Sequence, residues 1–226
     1  MSKNNKKEEE KLKAVGEAIG KGEKFIIENK VKIIGGIVAI LLVIVAIFGY
    51  KYLVKAPREN TALEEMAAAE RYFGLDSFNI ALNGDGINFG FNQIIDEYGS
   101  TGAGNLAHFY AGFCNLNLGN YQEAISQLEG FKGNDEILQA RSYCGIGDAY
   151  VELGEYENAV SYFVKAANYR DNEYAATYLM KAGVTYEELG KYDEALKVYK
   201  KIKTDYNKTI EAQEIDKYIE RAKIKK

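Results

Sequence analysis

Proline occurs once in the 226 residues (Pro57), histidine once (His108), cysteine twice (Cys114 and Cys144) and tryptophan not at all. So little proline leaves helices uninterrupted and predicts a mostly helical chain. Two cysteines are too few for a disulfide-stapled fold or a cysteine-rich zinc site. Any histidine-based triad has to be built around His108. A net charge of −4 gives no whole-chain reason to expect nucleic acid. Apolar residues at 47% and charged residues at 27% exclude disorder throughout, and the length suits one domain with an appendage.

The mild average hides a division at Pro57–Arg58. Residues 1–58 carry a net charge of +6 and residues 59–226 a net charge of −10, which means two environments. Between the basic arm and the acidic body, Ile33 to Gly49 read IIGGIVAILLVIVAIFG without a charge. That run rises about 26 Å, just short of a ~30 Å hydrocarbon core. Tyr50 and Tyr52 suit the interface and Lys51 can snorkel, which completes the span. A soluble helix apolar on all sides would need a larger protein to bury it. The polar lead-in is too long for a cleaved signal peptide, and no small-residue cleavage site follows. The expectation is an uncleaved signal anchor over 33–54, a lysine-rich arm over 1–32, a linker over 55–60 and a helical domain over 61–226. Lysines crowd the N-terminal side, so the arm is expected in the cytoplasm and the domain outside. In the arm, Leu12, Val15, Ile19, Ile26 and Ile27 form a weak helical stripe, read first as a polar lead-in that sets topology and second as a contact with a partner or anionic lipid.

The acidic body repeats itself. LGNYQEAISQL (118–128), LGEYENAVSYF (153–163) and LGKYDEALKVY (189–199) start 35 and 36 residues apart. Leu-Gly ends a helix in a tight turn, because glycine takes the left-handed conformation without Cβ strain. Tyrosine starts the next helix, and the alanine permits close helix approach. Seven residues before the turn glycines Gly119, Gly154 and Gly190 stand Gly112, Gly147 and Gly183. Each is a small hole between bulky neighbours, as two interlocking antiparallel helices need. Clear repeats are expected at 105–136, 140–171 and 176–207. Residues 59–98 look like a degenerate start, with helices over Ala62–Phe73 and Ser77–Leu82 and a glycine-rich loop at 83–91. A capping helix is expected at 210–225, with Ile215, Tyr218, Ile219 and Ala222 on one side.

Chemical motifs fail one by one. Placing Gly86 at the invariant glycine of a calcium loop puts Ala81 at the first ligand position. Gly84-x-Gly86-x-x-x-Gly90 has the wrong spacing for a nucleotide loop. Glu64-Glu65 and Glu187-Glu188 diverge on helices. His108 reads as a core or rim residue, and pairing of Cys114 with Cys144 stays open. No cofactor, no metal and no catalytic constellation is expected, so the protein is read as not an enzyme.

The Leu-Gly-x-Tyr spacing resembles the tetratricopeptide repeat, most fully at Tyr143, Ile146, Gly147, Tyr150, Tyr156, Ala159, Phe163 and Ala166. The outer repeats depart from it: Asn115 stands where tyrosine is usual, and Phe131 and Ile202 where a small residue is usual. Glu136, Asp171 and Asn207 replace the terminal proline. The resemblance implies an all-α solenoid behind one transmembrane helix. Its concave groove would be lined by Leu106, Phe109, Phe113 and Leu116, by Arg141, Asp148, Val151 and Glu152, and by Met180, Val184 and Glu187. Such a lining suits an extended or helical peptide with apolar and basic groups, or is filled by the chain's own N-terminal helices. Groove positions that hold Lys and Asn in carboxylate-clamping co-chaperones are here Phe109, Cys144 and Met180, and Phe113, Asp148 and Val184, which argues against that partner class. The order of arm, anchor and repeats resembles the YfgM-type ancillary subunit of the SecYEG translocon and membrane-anchored repeat proteins of Bacteroidota. That resemblance implies a single-pass inner-membrane protein with a periplasmic domain, placed beside SecYEG and a PpiD-type foldase and handling unfolded or extended envelope clients. A scaffold for another envelope assembly complex is the alternative, and an organelle import receptor of reversed topology is a further one.

Overall fold

A computed structural model describes residues 3–170 and 172–226. The side chains of Leu12, Val15, Ile19 and Ile26, and all of Asp171, lie outside that description. Regular structure among the described residues is helical throughout. The chain forms two compact units, residues 1–56 and 57–226.

The first unit is one helix, α1 (Lys3–Tyr50), followed by a π-helical turn at Lys51–Lys55. Its most apolar stretch has a mean hydropathy of 3.0 and none of it is buried. Residues such as Leu42, Val45 and Phe48 are exposed. An uncovered apolar helix of this length is consistent with a single-pass anchor or a signal sequence.

The second unit begins with α2 (Ala56–Gly74). The stretch expected as a linker, 55–60, is thus helical throughout, with Lys55 ending the π-helical turn and Ala56 starting α2. Pro57 follows the π-helical turn directly: Ala56 is still helical and donates its N–H to Lys51 O, while Pro57 has no N–H to give to the preceding turn. Then follow α3 (Phe78–Asn83), α4 (Phe91–Tyr98), α5 (Gly102–Asn117) and α6 (Tyr121–Gly130). The rest is α7 (Glu136–Glu152), α8 (Tyr156–Ala167), α9 (Ala175–Glu188), α10 (Tyr192–Asp205) and α11 (Ile210–Lys225).

Helices α5 to α10 are three hairpins closed by the same turn. Gly119, Gly154 and Gly190 have φ of 79°, 74° and 67°. The next residue donates its N–H back to Asn115, Tyr150 and Tyr186 carbonyls at 2.9, 2.9 and 2.8 Å, which satisfies the helix end. Tyr121, Tyr156 and Tyr192 each open the return helix. Inside each hairpin the helices meet at a glycine. A Cβ on Gly112 would stand 2.7 Å from Leu128 Cδ2, one on Gly147 2.6 Å from Phe163 Cε1, and one on Gly183 2.7 Å from Tyr199 Cζ.

Helices α5 and α7 start earlier than the repeat boundaries suggest because side chains cap them. Thr101 Oγ1 accepts from Gly104 N at 3.0 Å, and Asp135 Oδ1 from Ile137 N and Leu138 N at 2.9 and 2.8 Å. Glu59 of α2 also accepts from Gly102 N and Ala103 N at 2.6 and 2.8 Å, which ties the degenerate start to the first clear repeat. Buried side chains run on from hairpin to hairpin: Met66, Phe91 and Ile94 around α5, then Phe109, Leu128 and Phe131, then Phe163, Tyr199 and Ile202. The strip ends under α11, where Ile215, Ile219 and Ala222 are buried and Tyr218 packs against them. A core made of neighbour contacts is what a solenoid requires.

Candidate partner-binding groove

The first helices of the hairpins, α5, α7 and α9, line a groove with two recesses. One, of about 340 Å³, is walled by Phe113 on α5, by Ile137, Arg141, Cys144, Gly145 and Asp148 on α7, and by Tyr174, Tyr178 and Lys181 at the start of and along α9. Spacings of three and four put each set on one face of its helix. The second, of about 250 Å³, is mostly apolar, with Val151, Phe163, Met180 and Val184 beside Asp148, Lys181 and Thr185.

Asp148 and Lys181 border both recesses. Lys181 Nζ donates to Asp148 Oδ1 and Oδ2 at 2.6 and 2.8 Å, so the pair forms a bar across the groove. Burial raises the Asp148 carboxyl above its ordinary value, and Lys181 offsets only part of that. Burial acts in the opposite direction on Lys181, but Cys144 and Asp148 outweigh it and leave its ammonium raised. Burial, with a contribution from Asp148, pushes the Cys144 thiol up to about 12, and burial pushes Tyr178 up to about 12. The thiol and the phenol therefore stay uncharged, with no activated nucleophile. The Arg141 guanidinium lies over the Phe113 ring, 5.2 Å from its centroid.

Of the residues expected to line the groove, Phe113, Arg141 and Asp148 meet in the first recess and Asp148, Val151, Met180 and Val184 in the second. Leu106 and Leu116 are half-buried and pack on the core. Phe109 is 4% exposed, wedged between Phe113 and Phe131 at ring distances of 4.8 and 5.4 Å. Glu152 accepts from the Tyr121 hydroxyl at 3.3 Å. Glu187, 7% exposed, borders neither recess and accepts from Arg221 of α11 and Tyr199 of α10. Ile137, Tyr174, Tyr178 and Lys181 entered no sequence expectation. The missed signal is that Tyr174 and Lys181 each come 33 residues after Arg141 and Asp148.

Other candidates find structural uses. His108 Nδ1 lies 2.7 Å from Gln127 Oε1 between α5 and α6. Asp85 Oδ1 accepts from Ile87 N and Asn88 N at 2.9 and 2.7 Å, and Oδ2 from Tyr72 and Asn88 side chains at 2.9 and 2.8 Å. Its acceptors are spent on closing the loop, and those bonds, led by Asn88 N–H, hold its carboxyl well below the ordinary range. Among the described residues no cluster of His, Cys, Asp and Glu is arranged to hold a metal. Cys114 and Cys144 are free and buried.

The fold recurs in solved repeat proteins. A substituted form of a Podosopora anserina kinesin light chain with nearly identical TPR-like repeats superposes with a TM-score of 0.57 at 14% identity, over 74% of this chain and 87% of that one. The MamA protein gives 0.55 at 19% identity, over 73% and 91%. The apo form of RapI gives 0.58 at 18% identity, over 76% of this chain and 48% of that longer one. At these identities the likeness is one of fold. No curated protein matches the sequence significantly. The model of the tetratricopeptide repeat-like domain matches residues 23–220, from within α1 into α11. With that span, the three hairpins and the apolar N-terminal helix, the chain belongs to the tetratricopeptide repeat-like domain family of the YfgM type, whose members are protein-interaction scaffolds and usually not enzymes.

Proposed function

We propose that this protein is a non-enzymatic interaction scaffold held in the bacterial inner membrane by residues 33–54, with the arm cytoplasmic and the repeats periplasmic. There it serves as an accessory of the Sec translocon. Its groove takes extended segments of emerging envelope proteins, with SecYEG and a PpiD-type foldase as neighbours. The observation that carries the reading is the groove of α5, α7 and α9, with two part-apolar recesses, on a chain that also bears an uncovered apolar helix. Recesses of this kind favour apolar side chains of a docked segment.

Photo-crosslinking tests it. A crosslinking residue at Ile137, exposed on the groove rim, is activated in native membranes and compared with one at Lys217, exposed on α11. Crosslinks from position 137 to SecY, a PpiD-type foldase or nascent envelope chains, and not from position 217, are expected. Crosslinks from position 137 to another envelope assembly alone overturn the translocon assignment. Cleavage of residues 59–226 by protease in spheroplasts is expected, and protection there overturns the orientation.

A further inference from the structure

We infer that the first recess receives an apolar segment carrying one acidic side chain, with Arg141 as the group that reads the carboxylate. The inference rests on the groove reading above and adds the charge of the occupant. Sequence alone put Asp148, Glu152 and Glu187 in the lining and pointed to basic peptides. The structure assigns those carboxylates elsewhere. Both oxygens of Asp148 are held by Lys181, Glu187 is buried against Arg221 and Tyr199, and Glu152 sits at the Tyr121 hydroxyl.

Arg141 is in the opposite condition. It is exposed, it borders the recess, and among the described residues no ion pair includes it. Glu70 on α2 and Arg141 act on Tyr110 in opposite directions, the carboxylate raising the phenol and the guanidinium lowering it, and among the described residues the two charges form no ion pair. Stacking on Phe113 restrains the guanidinium without using its N–H donors. A planar, restrained fork of donors is suited to a carboxylate, and less of its freedom is lost on binding than a lysine would lose. Apolar anchors stand beside it: Ile137 and Tyr174 are 41% and 44% exposed, and Tyr178 forms part of the wall. The net charge of −10 on residues 59–226 disfavours anionic chains at long range. At physiological ionic strength such fields fade over about 8 Å, so the local cation decides what docks. The recesses meet at the Asp148–Lys181 bar, so a segment that crosses the bar reaches both.

The test uses the full chain in detergent micelles and three labelled peptides, acetylated and amidated so that neither end is charged. They share leucine and phenylalanine anchors and differ at one central residue: glutamate, glutamine or lysine. Fluorescence anisotropy is expected to rank glutamate first, about fivefold tighter than glutamine, as one partly exposed ion pair supports. Arg141→Gln removes that preference and Arg141→Glu reverses it in favour of lysine, while circular dichroism stays unchanged. Equal binding of the three peptides, or tightest binding of the lysine peptide to the unaltered protein, overturns the inference and leaves the groove reading in place. If no peptide binds, the groove reading itself fails.

Discussion

Tyr199 fills the space that Gly183 leaves open: a Cβ on the glycine would lie 2.7 Å from Tyr199 Cζ and 2.8 Å from Cδ1. The tyrosine ring is fully buried, so it has nowhere to move. Gly183→Ala is therefore expected to cost about 1–3 kcal/mol as overpacking, despite alanine's better helix propensity. Gly147→Ala, against Phe163, is expected to act alike. Gly154→Ala has open space around it but φ of +74°, so only backbone strain of about 1 kcal/mol is expected. Urea unfolding of the full chain in detergent, followed by circular dichroism, ranks the three. A stabilised Gly183→Ala would show that the hairpin is looser than the contact requires.

The same tyrosine leads to a pH dependence. Tyr199 donates to Glu187 Oε1 at 2.6 Å, and Arg221 donates to Oε2 and Oε1 at 2.9 and 2.7 Å. Burial alone would raise the Glu187 carboxyl, but the bonds from Arg221 and Tyr199 outweigh it and hold it below its ordinary value. A depressed carboxylate stabilises the fold above its unfolded pKa, and that contribution fades as pH falls from about 4 through the folded value. Glu187→Gln is expected to flatten this acid limb. Arg221→Leu is expected to cost about 3 kcal/mol at pH 7, because it strands a buried carboxylate. Thermal melts between pH 3 and 7 check both, and an acid limb unchanged by Glu187→Gln would refute the assignment.

The hairpins were legible in the sequence because their causes are local. A left-handed glycine, a starting tyrosine and a small residue seven positions back are fixed by one turn and one helix crossing. Even the departures have local reasons. Asn115, where tyrosine is usual, is buried and donates to Ala111 O at 3.0 Å while accepting from Asn120 at 3.2 Å. Phe131 and Ile202 fill the core in place of small residues. The groove was less legible because its contacts join different repeats. Matching turns puts Asp148 opposite Val184, 36 residues on, yet the residue that grips Asp148 is Lys181, 33 residues on. Equivalent helices pack with a tilt and an offset, so neighbours across the groove lie about one turn away from equivalent positions. Other ties between repeats fall near the same spacing: Tyr162 to Glu129 at 33 and Thr177 to Glu211 at 34. The cap of α5 by Glu59, 43 residues upstream, left no local trace at all.

The Asp148–Lys181 bar is half-exposed, with side-chain exposures of 33% and 40%, so it is expected to contribute modestly. A double-mutant cycle with Asp148→Ala and Lys181→Ala is expected to give a coupling of about 1 kcal/mol. The double replacement Asp148→Leu and Lys181→Met is expected to keep stability within that margin while joining the two recesses into one apolar trough. Urea titration measures the first, and a rise in binding of an environment-sensitive hydrophobic dye measures the second. A coupling near zero would mean that the bar is a surface contact with no hold on the groove.

Cys144 and Cys114 make burial itself measurable. Cys144 borders the first recess and Cys114 sits in the core around α5, and burial pushes each thiol up to about 12. The thiolate is the reactive form, so at pH 8 each is expected to react with iodoacetamide about a thousandfold more slowly than a free cysteine. Two alkylations are expected on unfolding in dodecyl sulfate, and none at comparable rate in mild detergent. Mass spectrometry of intact protein counts them. Because Cys144 is the one that faces the groove, residual slow labelling should fall on it first, and a saturating groove peptide should suppress that labelling. Rapid labelling of Cys114 instead would mean that α5 separates from α2 and α4 in the native state, and that the first hairpin is not held as the buried contacts of Met66, Phe91 and Ile94 indicate.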